Sequence, residues 1–350
     1  MSFGRVIKLL VGNFQKGNKN GDLDAYDLSA LDIEFEVIRS IEWYDNEATI
    51  KVYNPSAETL NMLMSEGNSV LLQAGYQDGE VGNIFVGQIA LVKPVRSGTD
   101  IVVTITCVTA RGAFYQLARL NCAMTFKKGT PLKTCLQNLC DYGQIVLRSG
   151  NSELLSQPIK WGFTFGGTFT EVVRSFSENY LFPMTAMSIY LDNNEMIVFG
   201  NGNKIELEEV SLDFDSGLLQ CHEIRDESLN KVNFADDPAY YMLSGSDQEC
   251  PEPKNRPSKQ IDRIKEVEFI CLMNPAIVPN SFVEIDSYVG NSLDKYVSVR
   301  GRFVVTDCHY NGSNFGSDFT VTCKAQESPI ITQQQQQRKS LVSFNRGAQR

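Results

Sequence analysis

The sequence predicts a mainly β protein in which two strand-rich modules flank an α+β insertion. Three observations carry this. Residues 31–108 and 266–325 both alternate apolar and polar side chains, as in Ile33-Glu34-Phe35-Glu36-Val37 and Val267-Glu268-Phe269-Ile270-Cys271. Each module closes on a similar run: Ile101-Val102-Val103-Thr104-Ile105-Thr106-Cys107, with Val102 out of phase, and Phe319-Thr320-Val321-Thr322-Cys323-Lys324-Ala325. Between them the apolar spacing changes from two to three and four. Alternation buries one face of a strand and leaves the other in water, whereas the longer spacing marks a helix.

Taken in order, residues 1–12 read as a first strand, followed by a turn-rich loop, Gly17-Asn18-Lys19-Asn20-Gly21-Asp22. With Gly21 at the sixth position of a calcium loop, Lys16 falls on the first ligand position and repels the metal, so no calcium site is expected. Thr49-Ile50-Lys51-Val52-Tyr53 ends at Asn54-Pro55-Ser56, where the proline stops the strand. A short helix over residues 57–64 ends near Gly67. Then come Val70-Leu71-Leu72-Gln73-Ala74-Gly75-Tyr76 and, past the turn Gln77-Asp78-Gly79, Ile84-Phe85-Val86-Gly87-Gln88-Ile89. Short strands at this spacing, with internal glycines, predict a small closed β-barrel over residues 1–110.

Residues 111–205 form the insertion. Thr130-Pro131 opens a helix, with the hydroxyl as cap and proline in the first turn, and Leu132, Cys135, Leu136, Leu139 and Cys140 make one buried stripe. Gly162-Phe163-Thr164-Phe165-Gly166-Gly167 reads as a turn before a second helix capped by Thr168, with Phe169, Val172, Val173 and Phe176 inward. Residues 188–200 predict a hairpin with the four-residue turn Asp192-Asn193-Asn194-Glu195. Residues 206–265 are a connecting segment that completes either the first barrel or the insertion. It holds the acidic cluster Glu206, Glu208, Glu209, Asp213 and Asp215, and a proline-rich loop over residues 247–258. Residues 266–326 are the second barrel.

The tail, residues 327–350, contains five consecutive glutamines and the cations Arg338, Lys339, Arg346 and Arg350 against Glu327 alone. Such a segment is either a solvated end or a docking element for a neighbour.

Length and composition bound the function. The 350 residues allow two to four domains, and 42% hydrophobic residues suffice for real cores. A net charge of −10 opposes ordinary nucleic-acid binding. The nine cysteines lie mostly in apolar runs, with no CxxC pair and only two histidines, His222 and His309. They read as buried thiols in a reducing cytoplasm, and neither a zinc site nor another metal is expected. The N-terminal apolar run is broken by Lys8, unlike a secretory signal, and no segment approaches the ~20 apolar residues of a membrane helix.

No GxSxG, HExxH or GxxxxGK[ST] motif is present. A glycoside hydrolase needs only two carboxylates, but with 42 acids some pair is unavoidable. Asp307 and His309 share a strand face without a nucleophile, as surface or interface residues do. No cofactor is expected, and the chain reads as non-enzymatic.

In the first module, residues 32–37 and 46–56 resemble the opening of tailed-bacteriophage baseplate hub proteins, the tail hub or late-control-D-like family. The pattern positions are Asn54, Pro55, Gly75, Tyr76, Phe85 and Gly87. In the second module Leu272-Met273-Asn274-Pro275-Ala276-Ile277-Val278-Pro279, residues 283–287, 303–305 and 309–313 fit the family's second barrel, with Asn274, Pro275 and Pro279 as its markers. Asn280 stands where many relatives have glycine after the proline; asparagine tolerates left-handed backbone angles well, so the turn is expected to survive.

The resemblance implies two tail-tube-like barrels per chain and a homotrimer forming a pseudo-sixfold ring. One face of the ring would meet the sixfold tail tube and the other the threefold spike. DNA would pass through an acidic channel, and the middle domain would contact wedge or spike proteins. A contractile tail assembled in the host cytoplasm is the expected setting. The alternatives are a peptidoglycan-degrading hub-associated protein and a β-rich carbohydrate-binding adhesin.

Overall fold

The computed structural model describes residues 4–17, 23–41, 46–65, 69–108, 121–143, 145–150, 153–192, 195–200, 209–224, 266–287 and 299–327. The alternating segments become strands with their apolar phase fully buried: Ile33, Phe35 and Val37, then Ala48, Ile50 and Val52, face one core. In the first half, β1 (Arg5–Gly17), β2 (Leu23–Asp27), β3 (Asp32–Ser40), β4 (Glu47–Tyr53), β5 (Ser69–Tyr76), β6 (Val81–Ser97) and β7 (Asp100–Val108) pair in the order β3-β4-β7-β6-β5-β1-β2. Helix α1 (Ala57–Leu63), capped by Ser56, carries the chain from β4 to β5.

The insertion has a second core. β8 (Asn121–Phe126) pairs with β10 (Phe163–Thr168), and β9 (Val146–Ser149), β11 (Ser188–Asp192) and β12 (Glu195–Phe199) make a three-stranded sheet. Helix α2 (Leu132–Gly143) buries all five residues of the predicted stripe, and helix α3 (Phe169–Phe176) buries Phe169, Val172, Val173 and Phe176. Thr168 and Glu171 form a reciprocal capping box at its start.

Three local expectations change. Most of the segment, residues 163–167, is strand rather than turn: Phe163 is buried, and a Cβ on Gly167 would stand 2.8 Å from the Phe165 ring. The hairpin loop has two residues instead of four, because Asp192 already pairs with Glu195. The Thr130 hydroxyl donates back to the Lys127 carbonyl at 2.8 Å, and the helix opens after Pro131.

In the second half, β13 (Glu209–Asp213), β14 (Leu218–Ile224), β15 (Glu266–Leu272), β16 (Phe282–Asp286), β17 (Arg300–Ser313) and β18 (Phe319–Glu327) pair in the order β14-β15-β18-β17-β16-β13. This repeats the first half strand for strand: β3, β4, β7, β6, β5 and β1 correspond to β14, β15, β18, β17, β16 and β13. One sense differs, since β13 runs parallel to β16 while β1 runs antiparallel to β5. The connecting segment thus contributes residues 209–224 to the second half, whereas the sequence assigned it to the first barrel or the insertion. Its proline-rich loop and the acids Glu206 and Glu208 lie outside the described residues, as does the tail beyond Glu327.

The halves are joined through one sheet. β17 pairs β16 along residues 300–304 and, past a bulge at Thr306, pairs β3 along residues 307–313. A bulge twists and redirects a strand, so one strand can serve two partners. The core is also shared: Ile50, Phe85 and Ile105 belong to the same cluster as Phe269, Phe303 and Val321.

Candidate assembly surface

The seam between halves is reinforced on both sides. Arg5 of β1 donates to the carbonyls of Ser317 at 2.8 Å and Ser313 at 3.3 Å, and its guanidinium lies 5.3 Å from the Phe319 ring centroid. Tyr76 meets Phe319 edge to face at 5.2 Å. Such aromatic pairs add ~0.5–1.5 kcal/mol beyond their burial. Gly82 lies against Pro275, whose Cβ would stand 2.9 Å from a side-chain carbon at that glycine.

Several family-pattern positions set turns and close contacts within each half. Asn54 holds φ +50°, and its side chain bridges to β7, accepting from the Ile101 amide at 2.9 Å and donating to Asp100 at 3.0 Å. Pro55 is buried beside it. A Cβ on Gly75 would fall 2.0 Å from the Glu80 carbonyl, and one on Gly87 would meet both the buried Phe85 ring and the Val108 carbonyl at 2.7 Å. In the second half the Asn274 side chain accepts from the Ala276 amide at 3.0 Å. Asn280 adopts φ +69°, the left-handed conformation expected of it, and donates its amide to Val305 at 2.7 Å.

The insertion is anchored to the seam by residues that sequence reasoning missed. Arg39, only 3% exposed, makes a two-pronged ion pair with Asp192 at the end of β11 and donates to the Ile84 carbonyl at 3.2 Å. Burial alone would lower the guanidinium pKa, but the Asp192 carboxylate more than offsets this and holds it above its ordinary value. Asn46 donates to the Leu191 carbonyl and to Asp192, each at 3.1 Å. Tyr190 donates its hydroxyl to the Pro279 carbonyl at 3.1 Å, so one hairpin grips both halves. A signal existed: Arg39 falls on the buried phase of β3, where a charge demands a partner.

The wet face of the joined sheet is polar and mainly acidic. Glu34, Glu36, Glu47, Glu266, Glu268 and Asp307 lie on it, with Lys8, Lys51, Lys93 and Lys324 among its cations. Neighbours occupy several of these carboxylates. Glu34 accepts from Lys51 at 3.2 Å and Tyr53 at 3.0 Å, Glu36 pairs with His309 at 2.8 Å, and Asp307 accepts from Ser40 at 2.7 Å. Asp307 and His309 do share a face, but each answers to β3 rather than to the other. Among the described residues no three His, Cys, Asp or Glu side chains gather as metal ligands would. No helix among them is long and apolar enough to cross a membrane.

This is the fold of solved phage-tail proteins. A tail protein from Neisseria meningitidis MC58 is similar at a TM-score of 0.55 and 11% identity, over 94% of this chain and 98% of that one. The 43 kDa tail protein of prophage MuSo2 from Shewanella oneidensis is similar at 0.53 and 9%, over 92% and 98%. A structure of a PdpA-VgrG complex aligns at 0.50 and 11%, over 93% of this chain and 65% of that one. No curated protein matches in sequence. The chain belongs to the baseplate hub gp41 family, whose family model matches residues 17–220. It is thus a member of a family of structural proteins of the phage tail baseplate.

Proposed function

We propose that three copies of the chain form a pseudo-sixfold ring that joins the tail tube to the central spike and lets DNA pass, without enzymatic activity. The observation that carries this reading is the repeated strand order, with two like halves joined edge to edge at β17 and β3. A duplicated unit lets a threefold assembly present six similar faces to a sixfold neighbour. The insertion, held by Asp192 and Tyr190, is then free on its other sides to meet wedge or spike proteins. The Gln-rich tail, with Arg338, Lys339, Arg346 and Arg350, is a candidate contact for one of these. Each half would close as a tube-like barrel within the ring.

The acidic wet face is the proposed channel lining. Like charge repels phosphate, so DNA slides without adhering. The mass of the purified chain tests the ring: a species of three 39.2 kDa chains is expected. A monomer that persists both alone and with tail-tube and spike proteins overturns it. Glu34→Lys with Glu268→Lys should slow DNA delivery in assembled phage, and unchanged delivery would sink the repulsive channel.

A further inference from the structure

Several strand edges lack a neighbour among the described strands, and the internal repeat matches two of them to each other. One is the outer edge of β6 beyond Gln88, where its ladder to β5 ends. The other is β14, which pairs only with β15. They stand at opposite ends of the run β14-β15-β18-β17-β3-β4-β7-β6.

Each edge has a paired equivalent inside the chain. β6 corresponds to β17: the ladders to β5 and β16 end at Gln88 and Val304, and bulges follow at Ala90 and Thr306. β14 corresponds to β3, since each flanks an equivalent strand, β15 or β4. Beyond its bulge, β17 pairs with β3.

We propose that β14 of a second copy of this chain docks antiparallel on residues 91–97 of β6, in the register that β3 takes on β17. This rests on the ring reading above and supplies the seam between copies. The contact is head to tail, because each copy offers one edge of each kind; such contacts generate rings when the rotation closes.

The register follows by carrying the ladder over. His309↔Ile38, Tyr310↔Val37, Asn311↔Glu36, Gly312↔Phe35 and Ser313↔Glu34 are the pairs within the chain. Their counterparts place Lys93 opposite Ile224, Pro94 opposite Glu223, Val95 opposite His222, Arg96 opposite Cys221 and Ser97 opposite Gln220. Arg96 and Glu223 then stand diagonally on one face, within reach of an ion pair. Val95 is 47% exposed in the single chain and Leu91 57%, while Leu219 is 49% exposed on the opposite edge. Apolar side chains at both free edges suit burial against another copy.

The hairpin geometry sets which groups face outward. Ser97 and Asp100 flank the two-residue turn at Gly98 and Thr99, so Ser97, Val95 and Lys93 bond to β7. Val92, Pro94 and Arg96 therefore direct their backbone groups to the free edge. Pro94 accepts from the Glu223 amide of the second copy but donates nothing. That missing donor weakens unspecific pairing along the edge at the loss of a single bond.

Cysteine pairing tests this in the full chain. Val95 and His222 form a non-hydrogen-bonded pair, for which Cα atoms lie ~4.5 Å apart, within disulfide range. Both side chains are exposed, so Val95→Cys with His222→Cys should fold. Mild oxidation should convert most of this double variant into covalent dimers and trimers on a non-reducing gel, and neither single variant should do so. Leu91→Cys with Gln220→Cys, about 20 Å apart in this register, should stay uncoupled. Exchanging the charges (Arg96→Glu with Glu223→Arg) should restore assembly that either change alone weakens about fivefold. A trimer in which 95 and 222 do not couple overturns this docking and leaves the ring standing. A chain that is monomeric at every concentration, alone and with its tail-tube and spike neighbours, overturns both.

Discussion

Arg39 of β3 and Asp192 of β11, 153 positions apart in sequence, meet as a buried ion pair that fixes the insertion to the shared sheet. The guanidinium is also placed over the Tyr310 ring, with 6.0 Å to the centroid, so strands of both halves surround it. The pair therefore reports on whether three parts of the chain are in place.

Removing one partner leaves the other charged and buried. Asp192→Ala should lower unfolding stability by about 3–5 kcal/mol, read from chemical denaturation. Arg39→Met combined with Asp192→Leu should recover most of that loss, because no uncompensated charge remains. A double variant as unstable as Asp192→Ala would count against this account.

Glycines should separate by cause. Gly75→Ala drives a methyl into the Glu80 carbonyl and should cost about 1–3 kcal/mol or prevent folding. Gly129→Ala meets no atom within 4 Å, but its φ is +90°, so about 1 kcal/mol of backbone strain is its whole effect. Thermal melts of the two variants decide the ranking.

Acid sensitivity should come from turn carboxylates. Side-chain and backbone bonds from Ser29 lower the Asp27 pKa, the Ser216 backbone amide leads in lowering that of Asp213, and the Thr168 amide does so for Glu171. Their ordinary values are 3.8 for Asp and 4.5 for Glu. The stabilisation is therefore complete above those values and drains as pH falls through the lowered ones. Denaturation midpoints followed below pH ~5 should fall less steeply in Asp213→Asn than in wild type.

Thiol labelling should follow burial. Burial pushes the thiol pKa of Cys135 up to about 11 and of Cys140 up to about 12, and raises Cys107 and Cys271 further. Cys221, half-buried on β14, should label first among the described cysteines in the native chain. Timed mass spectrometry with a maleimide checks the order. Assembly should slow labelling at Cys221, which lies on the proposed seam.

Much was legible from residue pattern alone. Alternation located β3, β7, β15 and β18, and apolar runs between turn signals located β4, β5 and the first part of β6. Spacing of three and four placed the buried stripes of α2 and α3, and Thr168 announced its cap. The left-handed turn at Asn280 was legible only through the resemblance, whose relatives carry glycine there, joined to asparagine's tolerance of that conformation. These are local facts, set by steric limits on one residue or by which face of one element is apolar.

Partner choice was not legible in the same way. A period of two tells which side chains face the core, but not which strand lies alongside. Residues 209–224 therefore gave no sign of belonging to the second half, and the meeting of β17 with β3 appeared only when the bulge at Thr306 redirected the strand. The joining of Arg39 to Asp192 likewise needed the assembled sheet: the sequence by itself determined that a charge fell in a buried phase, and the tertiary structure decided which distant carboxylate would neutralise it, because desolvation is relieved only by a group that folding brings within hydrogen-bond reach.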